Sequence, residues 1–325
     1  MQLTIISVSE YLDPLLVQGR MTDRTDATAA LVARFRRQRP LRGGSLIITV
    51  FGDAIAPRGG AVTLGALIGL MAPFGLTERL VRTSVARLAA DDWLAGRRVG
   101  RLSEYHLSPS GRQRFIEATR RIYAGPATEW TGRWTLVLMP GATASQRRRI
   151  RETLRWEGFG ELEPALLAHP TLTPEEARAH LAAAGLAELP ILLESRSAGA
   201  AADRRLAREG WDLRELASRY ARFLRLFEPV LPLVREPLPP VDAFLARTLL
   251  IHEYRKIHLR DPLLPPPLLP TDWPGTAAYE VCRTLYERVF SAAEQHLSEV
   301  GARLDGRLPV PEAAVYRRFA GLPRG

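Results

Sequence analysis

Six arginines fall within the 25-residue stretch TERLVRTSVARLAADDWLAGRRVGR: Arg79, Arg82, Arg87, Arg97, Arg98 and Arg101. Wound as a helix at about 100° per residue, the first part puts Val81, Val85 and Leu88 on one side. Arg79, Arg82, Thr83 and Ala86 fall on the other, with Arg87 beside them. Guanidinium forks suit phosphates and guanine edges, and a hydroxyl and a methyl suit the remaining edges of a major groove. The chemistry is that of binding a nucleic acid, with Thr77, Arg79, Arg82, Thr83, Arg87, Arg97, Arg98 and Arg101 as candidate contacts. An amphipathic helix with outward arginines is also what a solvated surface helix looks like. The basic, glycine-flanked segment Gly96–Arg101 that follows it moves the reading toward nucleic acid.

A second concentration of charge is His252, Glu253, Arg255, Lys256, His258, Arg260 and Asp261, interleaved with Leu249, Leu250, Ile257 and Leu259. Two readings stay open for it: surface salt bridging, or a pocket for an anionic ligand. Trp130, Arg133 and Trp134 combine aromatic and cationic character and are candidates for the same ligand. No phosphate-loop, nucleophile-elbow or dinucleotide motif occurs. His252-Glu253 begins like a zinc-protease helix, but Lys256 stands where the second histidine belongs, and an ammonium cannot complete that site. No catalytic residue, metal or cofactor is expected, and the chain is read as not an enzyme.

The elements that position the first set follow from local signals. Leu64, Leu67, Ile68, Leu70 and Met71 make an apolar helix that Pro73 and Gly75 end. Thr77 is the N-cap of the arginine helix, with Glu78 in its first turn where the dipole favours an acid. The capping box is incomplete, because Leu80 occupies its third position. Trp93-Leu94 and Tyr105-His106-Leu107 read as two strands joined by the basic loop. Helix, turn, helix and basic hairpin together make a winged helix-turn-helix pattern.

Composition agrees with an anionic partner. The chain has 325 residues, a net charge of +10 and 46% hydrophobic residues; its pI is near 10.5. Lys256 is the single lysine, so the excess charge is arginine; a GC-rich coding sequence produces the same bias. Cys282 is the one cysteine, which precludes an intramolecular disulfide and a thiolate zinc site and fits a cytoplasmic setting. No apolar run reaches the roughly 18 residues of a membrane span. The first 20 residues make a poor signal peptide, and Met21 is an alternative start that intact mass would decide.

The strings RGGSLIITVFGDAIAPRGG and LIGLMAPFGLTERLVRTSVARLAADDWL resemble the PaaX family of transcriptional repressors of phenylacetate degradation. GRWTLVLMP, RETLRWEGFGELEP and LLIHEYRKIHLRDPLLP resemble it too, so the likeness runs from about Arg39 to Leu304. It implies an α+β chain with an N-terminal winged helix-turn-helix, a central ferredoxin-like domain and a C-terminal, mainly helical domain. Boundaries are placed at 39–125, 126–235 and 236–325, behind a flexible arm at 1–38. Ser45–Ala56 has strand propensity, but the resemblance makes it the first helix.

Further along, Ala61–Thr63 is a candidate short strand pairing with the wing. A closing helix, Ser110–Tyr123, is expected to pack through Phe115, Ile116 and Ile122. Trp134–Met139 is a buried strand, Ser145–Glu157 an arginine-rich helix and Phe159–Ala168 a second strand interrupted at Pro164. Thr173 caps another helix, and Leu189–Glu194 is a strand. Long helices at Trp211–Val234, Val241–Leu259 and Thr276–Leu304 complete the chain, the last two able to pack in a homodimer.

The implied partners are double-stranded operator DNA and an aryl-acyl-CoA effector such as phenylacetyl-CoA, with no membrane. Trp130, Arg133, Trp134, His252, Arg255, Lys256 and Arg260 are the candidate effector residues. The central domain also resembles small CRISPR-associated nucleases, which hold a divalent metal through an aspartate near the end of the first strand. Leu138-Met139-Pro140 stands there instead. A metal-dependent nuclease and a thioester-binding module without operator function remain the alternatives.

Overall fold

The computed structural model describes residues 27–37, 43–126, 129–234 and 237–322. The Met21 start, Arg39 and most of the expected arm lie outside these residues. The chain forms two compact units. The first comprises the described residues of Met1–Tyr123, Leu224–Arg255 and Glu280–Gly325; the second is Ala124–Phe223 with Lys256–Tyr279. The segment 236–325 is therefore shared between them.

In the first unit, residues 27–37 form a helix, α1. It is not a free arm, because Leu31, Val32 and Phe35 are buried. The Arg36 guanidinium also donates to the carbonyls of Phe74 (3.1 Å) and Pro73 (3.0 Å). Helix α2 (Gly43–Val50) continues into a π-helical turn, Phe51–Ile55. Leu46, Ile47, Val50, Phe51 and Ala54 are all buried at helical spacing, so the 3.6-residue period prevails over strand propensity here.

Strand β1 (Ala61–Thr63) leads into α3 (Leu64–Met71), a short 3-10 turn and α4 (Glu78–Ala90). Gly75, at φ 79°, makes the left-handed turn, and the chain axis bends by 120° between Leu64–Phe74 and Glu78–Ala90. Thr77 caps α4, accepting from the Leu80 amide at 3.3 Å. Thr77→Ala should lower stability by about 1 kcal/mol in urea unfolding, and Thr77→Ser should retain it.

Strands β2 (Leu94–Val99) and β3 (Leu102–Leu107) follow, and the antiparallel sheet has the order β1-β3-β2. β1 thus pairs with the hairpin as expected. The hairpin differs from its expected form. Arg97, Arg98 and Val99 are strand residues paired with Glu104, Ser103 and Leu102, and only Gly100-Arg101 turns. Gly100 at φ 59° supplies the positive first position of a two-residue hairpin turn. Helix α5 (Pro109–Tyr123) packs through Phe115, Ile122 and Tyr123, whereas Ile116 is exposed.

The second unit contains β4 (Trp134–Leu138), α6 (Ala144–Trp156), β5 (Gly160–Glu163), β6 (Leu166–His169), α7 (Pro174–Ala183) and β7 (Ile191–Ser195). This βαββαβ order builds one antiparallel sheet, β5-β6-β4-β7. The expected single strand at Phe159–Ala168 is two, because the chain folds back at Pro164, which cannot donate to a ladder. Full capping boxes start α6 (Thr143 with Gln146) and α7 (Thr173 with Glu176). One sheet face packs Val137, Leu167, Ile150 and Leu154; the other packs Trp134 and Ala168 against Ala207 and Leu264. Ala207 belongs to α8 (Ala200–Gly210), a helix that is not among those expected from the sequence.

Helices α9 (Leu213–Phe227), α10 (Pro240–His258) and α11 (Pro274–Val300) then lead to a small hairpin, β8 (Ala302–Arg303) with β9 (Gly306–Arg307). Among the described residues no single helix is long and apolar enough to cross a membrane.

Candidate nucleic-acid interface

Helix α4 presents the two faces its spacing implied. Val81, Val85 and Leu88 are buried, while Arg79, Arg82, Thr83, Ala86 and Arg87 are exposed. Arg82 is held lightly: its Nε donates to Glu78 Oε1 at 2.8 Å, and both side chains are more than half exposed. An exposed i,i+4 pair is worth about 0.3–0.5 kcal/mol, so a phosphate or a base edge can displace the carboxylate. Thr83 donates its hydroxyl to the Arg79 carbonyl at 2.9 Å, which leaves its oxygen to accept. Thr77 is engaged as the cap.

On the hairpin, Arg97, Arg98 and Arg101 are all exposed. Arg97 stands 3.8 Å from the buried Glu104 carboxylate, which also accepts from the Leu304 amide at 2.8 Å. Arg98 Nε donates to the Gly100 carbonyl at 3.1 Å, which stiffens the turn.

The first unit also holds a buried ionic cluster that no motif in the sequence marks. Asp53, in the π-helical turn, accepts from Arg247 Nε at 2.7 Å and Arg318 Nη1 at 3.1 Å. It also accepts from the hydroxyls of Tyr123 (2.5 Å) and Tyr286 (2.8 Å). Arg247 and Arg58 both pair with Glu294. Arg58 donates further to the Pro309 carbonyl at 2.7 Å. Burial pushes the Asp53 carboxyl up, but Arg247, Arg318 and the two phenols outweigh it and hold it below its ordinary 3.8. Burial raises both phenols, so they stay protonated donors. The one visible signal was a lone carboxylate within the apolar run SLIITVFGDAIA. π-helical turns are rare and frequent at functional sites.

The candidate effector residues have different surroundings. Trp134 is buried, and its Nε1 donates to Asp203 at 2.8 Å. Trp130 meets it edge to face at 5.7 Å between ring centroids. Arg133 is exposed, pairs with Glu194 at 2.9 Å, and lines a cavity of about 300 Å³ with Thr131, Thr135, Thr171 and Arg196. His252 is fully buried, with Nδ1 2.9 Å from the Thr49 hydroxyl. Arg255 donates to that same hydroxyl (2.8 Å) and to the Ser45 carbonyl (2.7 Å) on α2. Burial lowers Arg255 to about 10. Lys256 is half-buried and Arg260 exposed. The neighbouring His258 and Asp261 both meet the Tyr220 hydroxyl, at 3.1 and 2.6 Å. At the end of β4, Leu138-Met139-Pro140 supplies no carboxylate.

Residues 42–111 match the family described as PaaX-like protein. Residues 127–207 match the PaaX protein central Cas2-like domain, and residues 211–299 the PaaX-like protein C-terminal domain. Over 289 residues the chain is 38% identical to the transcriptional repressor PaaX of Escherichia coli (strain K12), spanning 87% of this chain and 92% of that protein. A solved structure, the uncharacterized protein Rv0674 from Mycobacterium tuberculosis, is 23% identical with a TM-score of 0.46, covering 70% of this chain and 89% of that one.

Proposed function

Because the chain belongs to the PaaX family, we propose that it is a DNA-binding transcriptional repressor of a phenylacetate-type catabolic operon, released by an aryl-acyl-CoA such as phenylacetyl-CoA. The observation that carries the reading is the outward arginine face of α4 beside a stiff arginine hairpin in the same compact unit. Residues 39–125 act as a winged helix-turn-helix. The 120° bend between its two helices is within the range of that motif. Arg79, Arg82, Thr83 and Arg87 enter the major groove, with Thr77 at its edge, while Arg97, Arg98 and Arg101 hold phosphates.

The segment 126–235 is ferredoxin-like, and 236–325 supplies the helices through which two copies associate and set half-site spacing. The candidate effector residues are Trp130, Arg133, Trp134, Lys256 and Arg260 in the second unit, and His252 and Arg255 in the first. The effector's phosphates call for guanidinium partners, and the Arg133 cavity is large enough for part of such a ligand. It releases DNA only in proportion to its preference for the conformer with the wrong half-site spacing.

A gel shift on the DNA upstream of the protein's own gene, run against a panel of CoA thioesters, tests both parts. A retarded band should form and be abolished by an aryl-acyl-CoA but not by free CoA. Absence of a band at every salt concentration would remove the DNA-binding reading. A band indifferent to every thioester would remove the effector.

A further inference from the structure

Val99 and Leu102 are 56% and 58% exposed, and they pair directly across the hairpin around the Gly100-Arg101 turn. Scattered exposed aliphatic residues are ordinary on protein surfaces. These two are not scattered. They share one face of a two-stranded tip, because Arg97 and Val99 alternate with Arg98 along β2. That face also carries the Arg97–Glu104 pair, the opposite face carries Arg98, and Arg101 sits in the turn. The apolar tip is thus flanked by guanidiniums on both sides and at its end.

Resting on the DNA-binding reading, we propose that this tip is an apolar wedge for the minor groove of duplex DNA. Its three arginines take the phosphates on the two groove walls. Aliphatic side chains cannot hydrogen-bond to base edges, but they can press on sugars and separate a base step. The cost is least at flexible pyrimidine–purine steps. The tip therefore reads deformability rather than base identity, at a position flanking the site taken by α4. A cationic surround favours DNA over an apolar protein partner as its occupant.

The test uses the full chain, a Val99→Ser/Leu102→Ser variant and a Val99→Ile/Leu102→Met variant that keeps the tip apolar. The sites are exposed, and circular dichroism confirms that each variant folds. Binding and end-to-end fluorescence transfer are measured on duplexes from the upstream DNA that differ only in one flanking step, TA or AA. The unaltered chain and the Ile/Met variant should bend the duplex and prefer TA. The Ser/Ser variant should lose the bend and the preference, and bind roughly tenfold more weakly. A Ser/Ser variant that bends and discriminates like the unaltered chain overturns the wedge and leaves the DNA-binding reading intact. Failure of the unaltered chain to bind any duplex removes that reading and the wedge with it. A Ser/Ser variant that instead changes only its elution on gel filtration makes the tip a protein contact and overturns the wedge.

Discussion

Asp53→Asn should destabilise the first unit by about 3–5 kcal/mol, the cost of leaving a buried charge uncompensated. The substitution keeps the side chain's shape, and its carbonyl can still accept from Tyr123 and Tyr286. What it removes is the charge facing Arg247 and Arg318, both essentially inaccessible to solvent. Glu294 would still pair with Arg58 and Arg247. A shift of the urea midpoint at unchanged slope measures the loss. Replacing Asp53 with its partners together, as Asp53→Leu, Arg247→Met and Arg318→Met with Tyr123→Phe and Tyr286→Phe, should recover most of it, since apolar residues of similar size need no counter-charge and Glu294 keeps Arg58. A single substitution as mild as a surface change would show the cluster to be solvated and the argument wrong.

The same group sets a pH dependence. The folded Asp53 carboxyl titrates below its ordinary 3.8. Its contribution is therefore fully present above about pH 4, the unfolded value, and is lost as pH falls through the lower folded value. Between pH 5 and 8 this carboxylate should add no slope to stability, and Asp53→Asn should flatten the acid limb.

Arg82→Ala should weaken operator binding by about 1–3 kcal/mol and relax preference at one or two base positions. The helix itself should survive, because Arg82 is exposed and its pair with Glu78 contributes only a few tenths of a kcal/mol. Arg98→Ala on the hairpin should act differently. It should weaken binding to every sequence alike and reduce the salt slope by about one. Titrations of both variants across salt, on operator and on scrambled duplex, separate the two roles. An Arg82→Ala protein that binds operator like the unaltered chain would move recognition away from α4.

Part of this molecule is legible residue by residue. The opposed faces of α4, the caps at Thr77 and Thr173 and the stop at Gly75 are set within a few positions of chain. Periodicity, capping and positive φ act over that range. The candidate nucleic-acid contacts were readable for the same reason: six arginines at helix and hairpin spacing need nothing from elsewhere to point outward.

Other features needed the fold. Propensity alone left Ser45–Ala56 undecided between helix and strand, and the buried stripe of α2 is what settles it. Pro164 marked a break, but only pairing turned one strand into two. The burial of Trp134 and His252, each with an internal hydrogen-bond partner, could not be read from residue type. Asp53 meets Arg247 and Arg318 across 194 and 265 residues of chain. Charge is stable in isolation only in water, so a linear reading places every charged side chain outside. Tertiary structure alone could put Asp53, Arg58, Arg247 and Arg318 inside, because a buried charge persists only where distant segments bring its counter-charge within hydrogen-bond reach.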